Sequence, residues 1–371
     1  MRNNKKSKGL VKTIKIKNRM SKNRMSKNRK SKSKKSKNRK SKKKMRKSKI
    51  RKYKGGGPMS KEDFQNILKL KRKEHQKKCD EKVDEMYALF HHGRYSEDDT
   101  INFFNLAKKA KNSPRDANKK ILWDSVIQMY KDETLKIYID YPDEFAGLTA
   151  LTYAVIDNNI PVAKYLIQNG ADINHETARE ETPLTYAVQA KGQDNYLMIK
   201  FLLDNGARQN HSLEMTTGFT PLMLLIMRHK SNNKLSKKKI ELLLSYNPDV
   251  TMRDRANKNA MQHAIQLPNL YIVDLLLKYL KKIKFDDYIN DINEDGDTVL
   301  TYAMSRYIIY KERDRKTELI KIINRLLDFE GIKVDIEMPD GTEYKGQTIL
   351  YTAEQLGLNE IAERLRALGA E

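Results

Sequence analysis

The segment 291–297 comes nearest in this sequence to a metal-binding motif. It reads Asp-Ile-Asn-Glu-Asp-Gly-Asp and so matches the first half of a calcium-binding loop, which places oxygen ligands at alternate positions. A complete loop also needs a bidentate glutamate at its twelfth position, and that position is Tyr302 here. We therefore interpret the segment as a turn and predict no calcium site.

Other patterns that could support chemistry are weak. The remaining metal-like pairs are His91 with His92 and His75 with Cys79, and neither belongs to a set of four ligands at zinc spacing. The sequence contains neither a glycine-rich phosphate loop followed by lysine nor a Gly-x-Ser-x-Gly nucleophile motif. We therefore predict a noncatalytic protein with no catalytic residue, no metal and no cofactor.

A short phrase recurs in the second half of the chain. Residues 149–154 read TALTYA and residues 182–187 read TPLTYA, 33 positions later, with Gly170-Ala171-Asp172 between them. A repeat of this length and wording is typical of a helical solenoid, in which stacked units share a core that no single unit could bury. Such an array offers an extended surface for binding rather than one enclosed pocket.

The wording of these units resembles the ankyrin repeat. Six units are recognised over 144–371 by the residue that opens each phrase: Thr149, Thr182, Thr220, Asn259, Thr298 and Thr348. The resemblance implies an all-α ankyrin-repeat solenoid of about six helix-turn-helix repeats. The spacing of these residues grows from 33 to 50 along the chain, and we expect the surplus residues to lie in loops, where insertions cost little.

The apolar pattern within a unit supports the same interpretation. Leu151 and Ala154 lie three residues apart, as on one face of a short helix, and a second short amphipathic stretch follows the polar residues 157–159. An alanine stands at the centre of five units, where we expect two helices to approach closely. These alanines are Ala154, Ala187, Ala264, Ala303 and Ala353.

The resemblance also implies where a protein partner would bind, namely at the turn tips and on the exposed side of each first helix. By repeat position the predicted contact residues are Phe145, Leu148, Asp157, Arg179, Glu181, Gln189, Thr217, Phe219, Arg228, Arg255, Lys258, Arg306, Tyr344 and Gln347. We expect Phe145, Phe219 and Tyr344 to be the main anchors, since exposed aromatic residues and arginines dominate protein interfaces. Each of these residues has the alternative of simply facing solvent.

Residues 59–143 form a segment that we predict to be helical. Ser96 and Asp99 suggest a helix start, Ser113-Pro114 a stop, and Trp123 lies in the apolar stripe of the next helix. A further short helix is expected around Leu135–Ile139. The helices of 116–143 are interpreted as a worn repeat that caps the array, with a separate small helical domain as the alternative.

The first 58 residues contain 28 Lys and Arg and no Asp or Glu, whereas the other 46 basic and 48 acidic residues nearly cancel. This low-complexity stretch, which ends in a Gly55–Pro58 hinge, is predicted to be a disordered basic tail. One hypothesis is that residues 1–54 bind nucleic acid nonspecifically through phosphate contacts. The alternative is a nuclear or nucleolar targeting signal that an import receptor recognises.

The leading functional hypothesis is a noncatalytic scaffold that binds one or more proteins, and the rival is that the basic tail is the working part while the array serves as a tether. One cysteine and no long apolar run indicate a soluble intracellular protein without a membrane segment. We expect a monomer in the nucleus or another nucleic-acid-rich compartment. The sequence is rich in Lys, Asn, Ile and Tyr. With this bias, its degenerate repeats resemble the ankyrin arrays that large DNA viruses encode.

Overall fold

The described structure lies entirely within one unit of the chain, Ser60–Glu371. The computed structural model describes residues 95–371, except for positions 115, 133–134, 136, 144–145, 191–194, 214–215, 230–233 and 294. The predicted disordered tail and any helix before residue 95 lie outside the described residues, as do the metal-like pairs of His75, Cys79 and His91-His92.

The described residues form fourteen α-helices, arranged as consecutive pairs along the chain. The first pair is α1 (Glu97–Asn112) and α2 (Asp116–Lys131). Six further pairs follow: α3 (Ala150–Ile156) and α4 (Ile160–Gln168), α5 (Pro183–Gln189) and α6 (Tyr196–Asp204), α7 (Pro221–Met227) and α8 (Lys234–Ser245), α9 (Ala260–Gln266) and α10 (Leu270–Ile283), α11 (Val299–Ile309) and α12 (Arg313–Leu327), and α13 (Ile349–Gln355) and α14 (Asn359–Ala367). A short 3-10 helix, Asp286–Asn290, follows α10.

The pairs stack in two rows. The first helices of successive pairs pack on one another from α1 through α11, and the second helices do so from α2 through α14. We number the repeats 1 to 6 from α3/α4 to α13/α14, and we call the two rows the inner row and the outer row. Within the described residues there is no β-strand, and a single β-bridge joins Glu337 and Thr348. The predicted all-α solenoid is confirmed.

The residue that opens each repeat phrase begins its inner helix. The side chains of Thr149, Thr182, Thr220, Asn259, Thr298 and Thr348 each accept a hydrogen bond from the backbone N–H three residues later. This N-cap satisfies one of the backbone donors that a helix start leaves unpaired. Asparagine supplies the same oxygen as threonine, so the fourth repeat keeps its cap although its phrase is degraded.

One hydrophobic core runs the length of the stacked pairs, from Phe103 in α1 to Ala370 after α14. The repeat-centre alanines lie in it with at most 1% of their surface exposed. Because the methyl group is the smallest apolar side chain, these positions allow helices of neighbouring repeats to approach closely.

The N-terminal end differs from the sequence prediction in two ways. The short helix expected at Leu135–Ile139 is wrong, since the described residues of this segment are not helical. Here Tyr138 donates its N–H to Thr100 Oγ1 at 2.9 Å instead of to a helical turn. Of the predicted cap over 116–143, α2 does pack on α4 of repeat 1, but its partner is α1, which packs on α3, rather than a helix after residue 131.

Gly218 provides a test of how neighbouring repeats fit. Its φ is +76°, and an added Cβ would lie 2.8 Å from the backbone N of Arg255 in the next repeat. We expect Gly218→Ala to lower the free energy of unfolding by about 2 kcal/mol, through backbone strain and this overlap. Gly206→Ala is the matched control, because its φ is +90° but its Cβ would meet nothing within 4 Å. Equal urea-denaturation midpoints for the two variants would show that the repeats do not touch here.

Candidate protein-binding surface

The turns that precede the inner helices are built around polar side chains of the turn itself. Asp143 Oδ1 accepts hydrogen bonds from the N–H groups of Ala146 (2.6 Å) and Gly147 (2.7 Å). Asp254 Oδ1 accepts in the same way from Ala256 and Lys258, both at 2.8 Å. These bonds fix the backbone of each turn, so the side chains at its tip are held in place.

Backbone hydrogen bonds also join turns of neighbouring repeats. Ala178 N–H donates to Ala146 O at 3.1 Å, and Arg255 N–H donates to Thr217 O at 3.0 Å. Main-chain contacts therefore fix the relative positions of the turn tips of repeats 1 and 2, and of those of repeats 3 and 4.

The segment 291–297 is the turn that precedes α11. Asn293 Oδ1 accepts hydrogen bonds from the N–H groups of Asp295 (3.0 Å) and Asp297 (2.7 Å), and Asp291 pairs with Arg253 at 2.6 Å. Asn293 therefore stabilises the turn itself, and Asp291 forms an ion pair with Arg253 of the preceding repeat. Over the described residues there is no group of three or more His, Cys, Asp and Glu that could hold a metal ion.

The fourth residue after the cap pairs with a turn carboxylate in three repeats. Tyr153 OH donates to Asp143 Oδ2 at 2.9 Å, and Tyr186 OH donates to Glu181 Oε2 at 2.8 Å. Burial, and next the hydrogen bond to the carboxylate, raise the pKa of both tyrosines. In repeat 4 a histidine takes this position.

In that repeat His263 Nε2 lies 2.9 Å from Asp254 Oδ2, and both side chains are buried. Burial alone would raise the pKa of Asp254, but the hydrogen bonds from His263 and from backbone N–H groups outweigh it and lower the pKa. This row of pairs was not predicted from the sequence, although Tyr or His recurs there four residues after the capping residue.

Glu181, Gln189 and Arg228 were predicted contact residues, and the structure brings them together. Gln189 Nε2 donates to Glu181 Oε1 at 3.0 Å. Arg228, at the end of α7, donates to the backbone oxygen of Gln189 at 2.8 Å and to its Oε1 at 3.4 Å. This chain of hydrogen bonds crosses from repeat 2 to repeat 3 while Arg228 stays exposed.

Lys258 and Arg306 are brought together in repeats 4 and 5. Both cations lie beside the ring of Tyr302, with Lys258 Nζ 6.0 Å and Arg306 Cζ 4.8 Å from its centroid. Lys258 Nζ also donates to Gln266 Oε1 at 3.2 Å. We call these two sets of side chains together the inner surface: Glu181, Gln189 and Arg228 in repeats 2 and 3, and Lys258, Gln266, Tyr302 and Arg306 in repeats 4 and 5.

Asp157 has a different role from the one predicted. Its carboxylate accepts hydrogen bonds from Lys119 Nζ (2.5 Å) and Trp123 Nε1 (2.8 Å), and the side chain is 8% exposed. It therefore joins α2 to repeat 1, so we leave it out of the proposed contact set.

The other predicted contact residues are scattered. Arg179, Thr217 and Gln347 are exposed, whereas Leu148, Phe219, Arg255 and Tyr344 are half-buried. The Phe219 ring meets His263 edge to face at 5.1 Å, so it packs between repeats 3 and 4. Phe145 lies outside the described residues.

Comparison with known families agrees with this architecture. A family model described as ankyrin repeats matches residues 86–212 in three copies. Ankyrin repeats are therefore found in this chain, and the match includes α1 and α2, the pair that covers repeat 1. The pairs from α7 to α14 continue the same stacking beyond the matched residues. Ankyrin repeats generally serve as protein-interaction scaffolds, and ankyrin-repeat domains are typically noncatalytic.

Among the described residues, no helix is both long enough and apolar enough to cross a bilayer.

Proposed function

We propose that this protein is a noncatalytic scaffold that binds one or more proteins through its inner surface. The observation that carries the proposal is the chain of hydrogen bonds from Glu181 through Gln189 to Arg228, which fixes polar side chains across two repeats. Side chains that are already ordered lose little conformational entropy when a partner binds. An exposed arginine held in this way is a frequent centre of binding energy in protein interfaces.

A double variant tests this proposal. We expect Gln189→Ala with Arg228→Ala to reduce recovery of specific partners from a cell lysate about tenfold or more, because a truncated interface arginine often costs more than about 1 kcal/mol. Lys278→Ala with Lys282→Ala is the control, since it removes two exposed charges from α10 of the outer row. The readout is quantitative mass spectrometry of captured proteins. Equal recovery by both double variants would reject the inner surface as the binding site.

A second candidate function rests on the basic tail. We propose that residues 1–58, with 28 Lys and Arg and no acidic residue, bind polyanions through phosphate contacts. Affinity for a nonspecific DNA duplex should then fall steeply between about 50 and 200 mM salt, because each neutralised phosphate releases counterions. Deleting residues 1–58 should abolish this binding and leave partner capture intact. If partner capture is lost with the tail, the tail is the working part.

We also propose that the tail directs the protein to the nucleus or to another nucleic-acid-rich compartment inside the cell. Its lysine and arginine content supports recognition by an import receptor. Fluorescence microscopy of the full chain and of the chain without residues 1–58 distinguishes targeting from a tail that acts only at the binding step.

The repeat array is further proposed to be of the degenerate kind encoded by large DNA viruses. This proposal is supported by the eroded phrase that opens at Asn259 and by 19 tyrosines against one tryptophan, a bias expected of an AT-rich genome.

A further inference from the structure

Tyr302 lies four residues after the cap of repeat 5, but it does not bond to a turn carboxylate of the described residues. The equivalent residues in repeats 1, 2 and 4 bond to the carboxylates of Asp143, Glu181 and Asp254. Tyr302 is 2% exposed, yet its hydroxyl has no hydrogen-bond partner among the described residues. A buried donor without an acceptor is costly. An acceptor supplied to the Tyr302 hydroxyl would therefore be stabilising.

The surroundings of Tyr302 are cationic. Lys258 and Arg306 flank its ring at 6.0 Å and 4.8 Å, and within the described part of the chain neither forms an ion pair. Arg306 Nε is likewise buried without a partner. Among the described residues, two cations without an ion pair therefore lie beside the ring of one tyrosine whose buried hydroxyl lacks an acceptor.

The nearest described carboxyl groups are already engaged. Asp254 accepts from His263 and from two backbone N–H groups. Asp297 accepts from Thr301 Oγ1 at 3.3 Å and is 8% exposed. Burial raises the pKa of Asp297 to about 6, so this carboxyl is mostly charged near neutral pH, but it forms no ion pair with Lys258 or Arg306.

We propose that the cationic surroundings of the Tyr302 ring, formed by Lys258 and Arg306, accept an aspartate or glutamate side chain of a partner polypeptide. A carboxylate accepts hydrogen bonds only and matches both the planar guanidinium and the ammonium group. It would give the Tyr302 hydroxyl the acceptor that its counterparts have. Because the Tyr302 hydroxyl is buried, the ligand reaches it only when the Arg306 guanidinium turns away from the ring, and no hydrogen bond to a described residue restrains that guanidinium. The inference rests on the proposed function, since it names the partner chemistry of the same inner surface.

The test uses the full chain and a defined probe. The probe is a ten-residue peptide of alternating glutamate and glycine with a photoreactive diazirine group, compared with its glutamine version. After irradiation, mass spectrometry measures crosslinks within residues 254–310 relative to those within residues 1–58. The basic tail also attracts acidic peptides, and it is identical in every variant, so it serves as an internal reference.

Three variants decide the outcome. We expect Arg306→Gln and Tyr302→Phe each to reduce the crosslinks at 254–310 by about fivefold or more, as for loss of a charge-assisted or buried hydrogen bond. Lys282→Gln removes the same charge as Arg306→Gln but from the exposed face of α10, and it should leave them unchanged. Tyr302→Phe should melt at the same or a higher temperature, because it removes an unpaired buried hydroxyl.

The inference is overturned if the wild-type chain gives no crosslinks at 254–310, if the glutamine peptide crosslinks equally well, or if all three variants match the wild type. These failures are separable from failure of the proposed function. The Gln189 and Arg228 variant reports on repeats 2 and 3, and its effect on partner capture stands whether or not a carboxylate binds between repeats 4 and 5.

Discussion

Replacing Ala187 by aspartate is expected to unfold the first three repeats of the array. Ala187 lies in the hydrophobic core with 1% of its surface exposed, and its helix α5 packs on both α3 and α7. A carboxylate placed there loses its hydration, which costs on the order of 4 kcal/mol or more. Since repeats are stabilised mainly by their immediate neighbours, the loss should spread to repeats 1 and 3.

Far-UV circular dichroism and thermal melting measure this effect. We expect Ala187→Asp to lose a large part of its helical signal at room temperature, or to melt well below the wild type. Ala178→Asp makes the same chemical change at an exposed turn residue and should leave both readouts close to the wild type. Full retention of ellipticity and melting temperature by Ala187→Asp would contradict the close approach of inner helices on which the stacking depends.

The repeats could be predicted from the sequence because their determinants are local. A threonine or asparagine that opens a phrase caps a helix through a bond to the backbone three residues on, and the alanine five positions after the cap is buried. These relations span less than two helical turns, so period and residue type suffice to find them. The Leu135–Ile139 segment misled the prediction because its apolar residues Ile137 and Ile139 are buried without forming a helix.

The contacts of the inner surface could be predicted only in part, because they join distant residues. Arg228 and Gln189 are 39 positions apart, and Trp123 and Asp157 are 34 apart. Arg228 and Asp157 were both predicted to be contact residues because they occupy equivalent positions in their repeats. Whether such a residue stays on the surface depends on which side chains the neighbouring helix pair brings against it. At Asp157, α2 supplies Lys119 and Trp123, which bond to the carboxylate. That information is not contained in the repeat pattern.

Replacing Asp297 by asparagine is expected to stabilise the protein at neutral pH. Burial is the main cause that raises the pKa of Asp297 from its ordinary 3.8 to about 6 in the folded chain. A carboxyl whose pKa is raised by folding favours the folded state below the unfolded pKa, and this contribution is lost as the pH rises through the folded pKa. Above about pH 7 the charged form therefore destabilises the fold by up to about 3 kcal/mol, at 1.36 kcal/mol per pKa unit. Asparagine keeps an oxygen that can accept from Thr301 and carries no charge.

Urea denaturation of wild type and Asp297→Asn at pH 4, 6 and 8 tests this expectation. The difference in free energy of unfolding should be small at pH 4 and should grow in favour of the variant as the pH rises, because only the wild type must bury a charge. Folding lowers the pKa values of Asp254 and Asp143, so the stability that these two carboxylates contribute is lost in acid. The loss is the same in the wild type and in the variant, and it therefore cancels in the comparison. Asp295→Asn makes the same change at the exposed neighbour, and we expect less than about 0.5 kcal/mol from it. A variant that is less stable than the wild type at pH 8 would show that the negative charge of Asp297 is needed to balance Lys258 and Arg306.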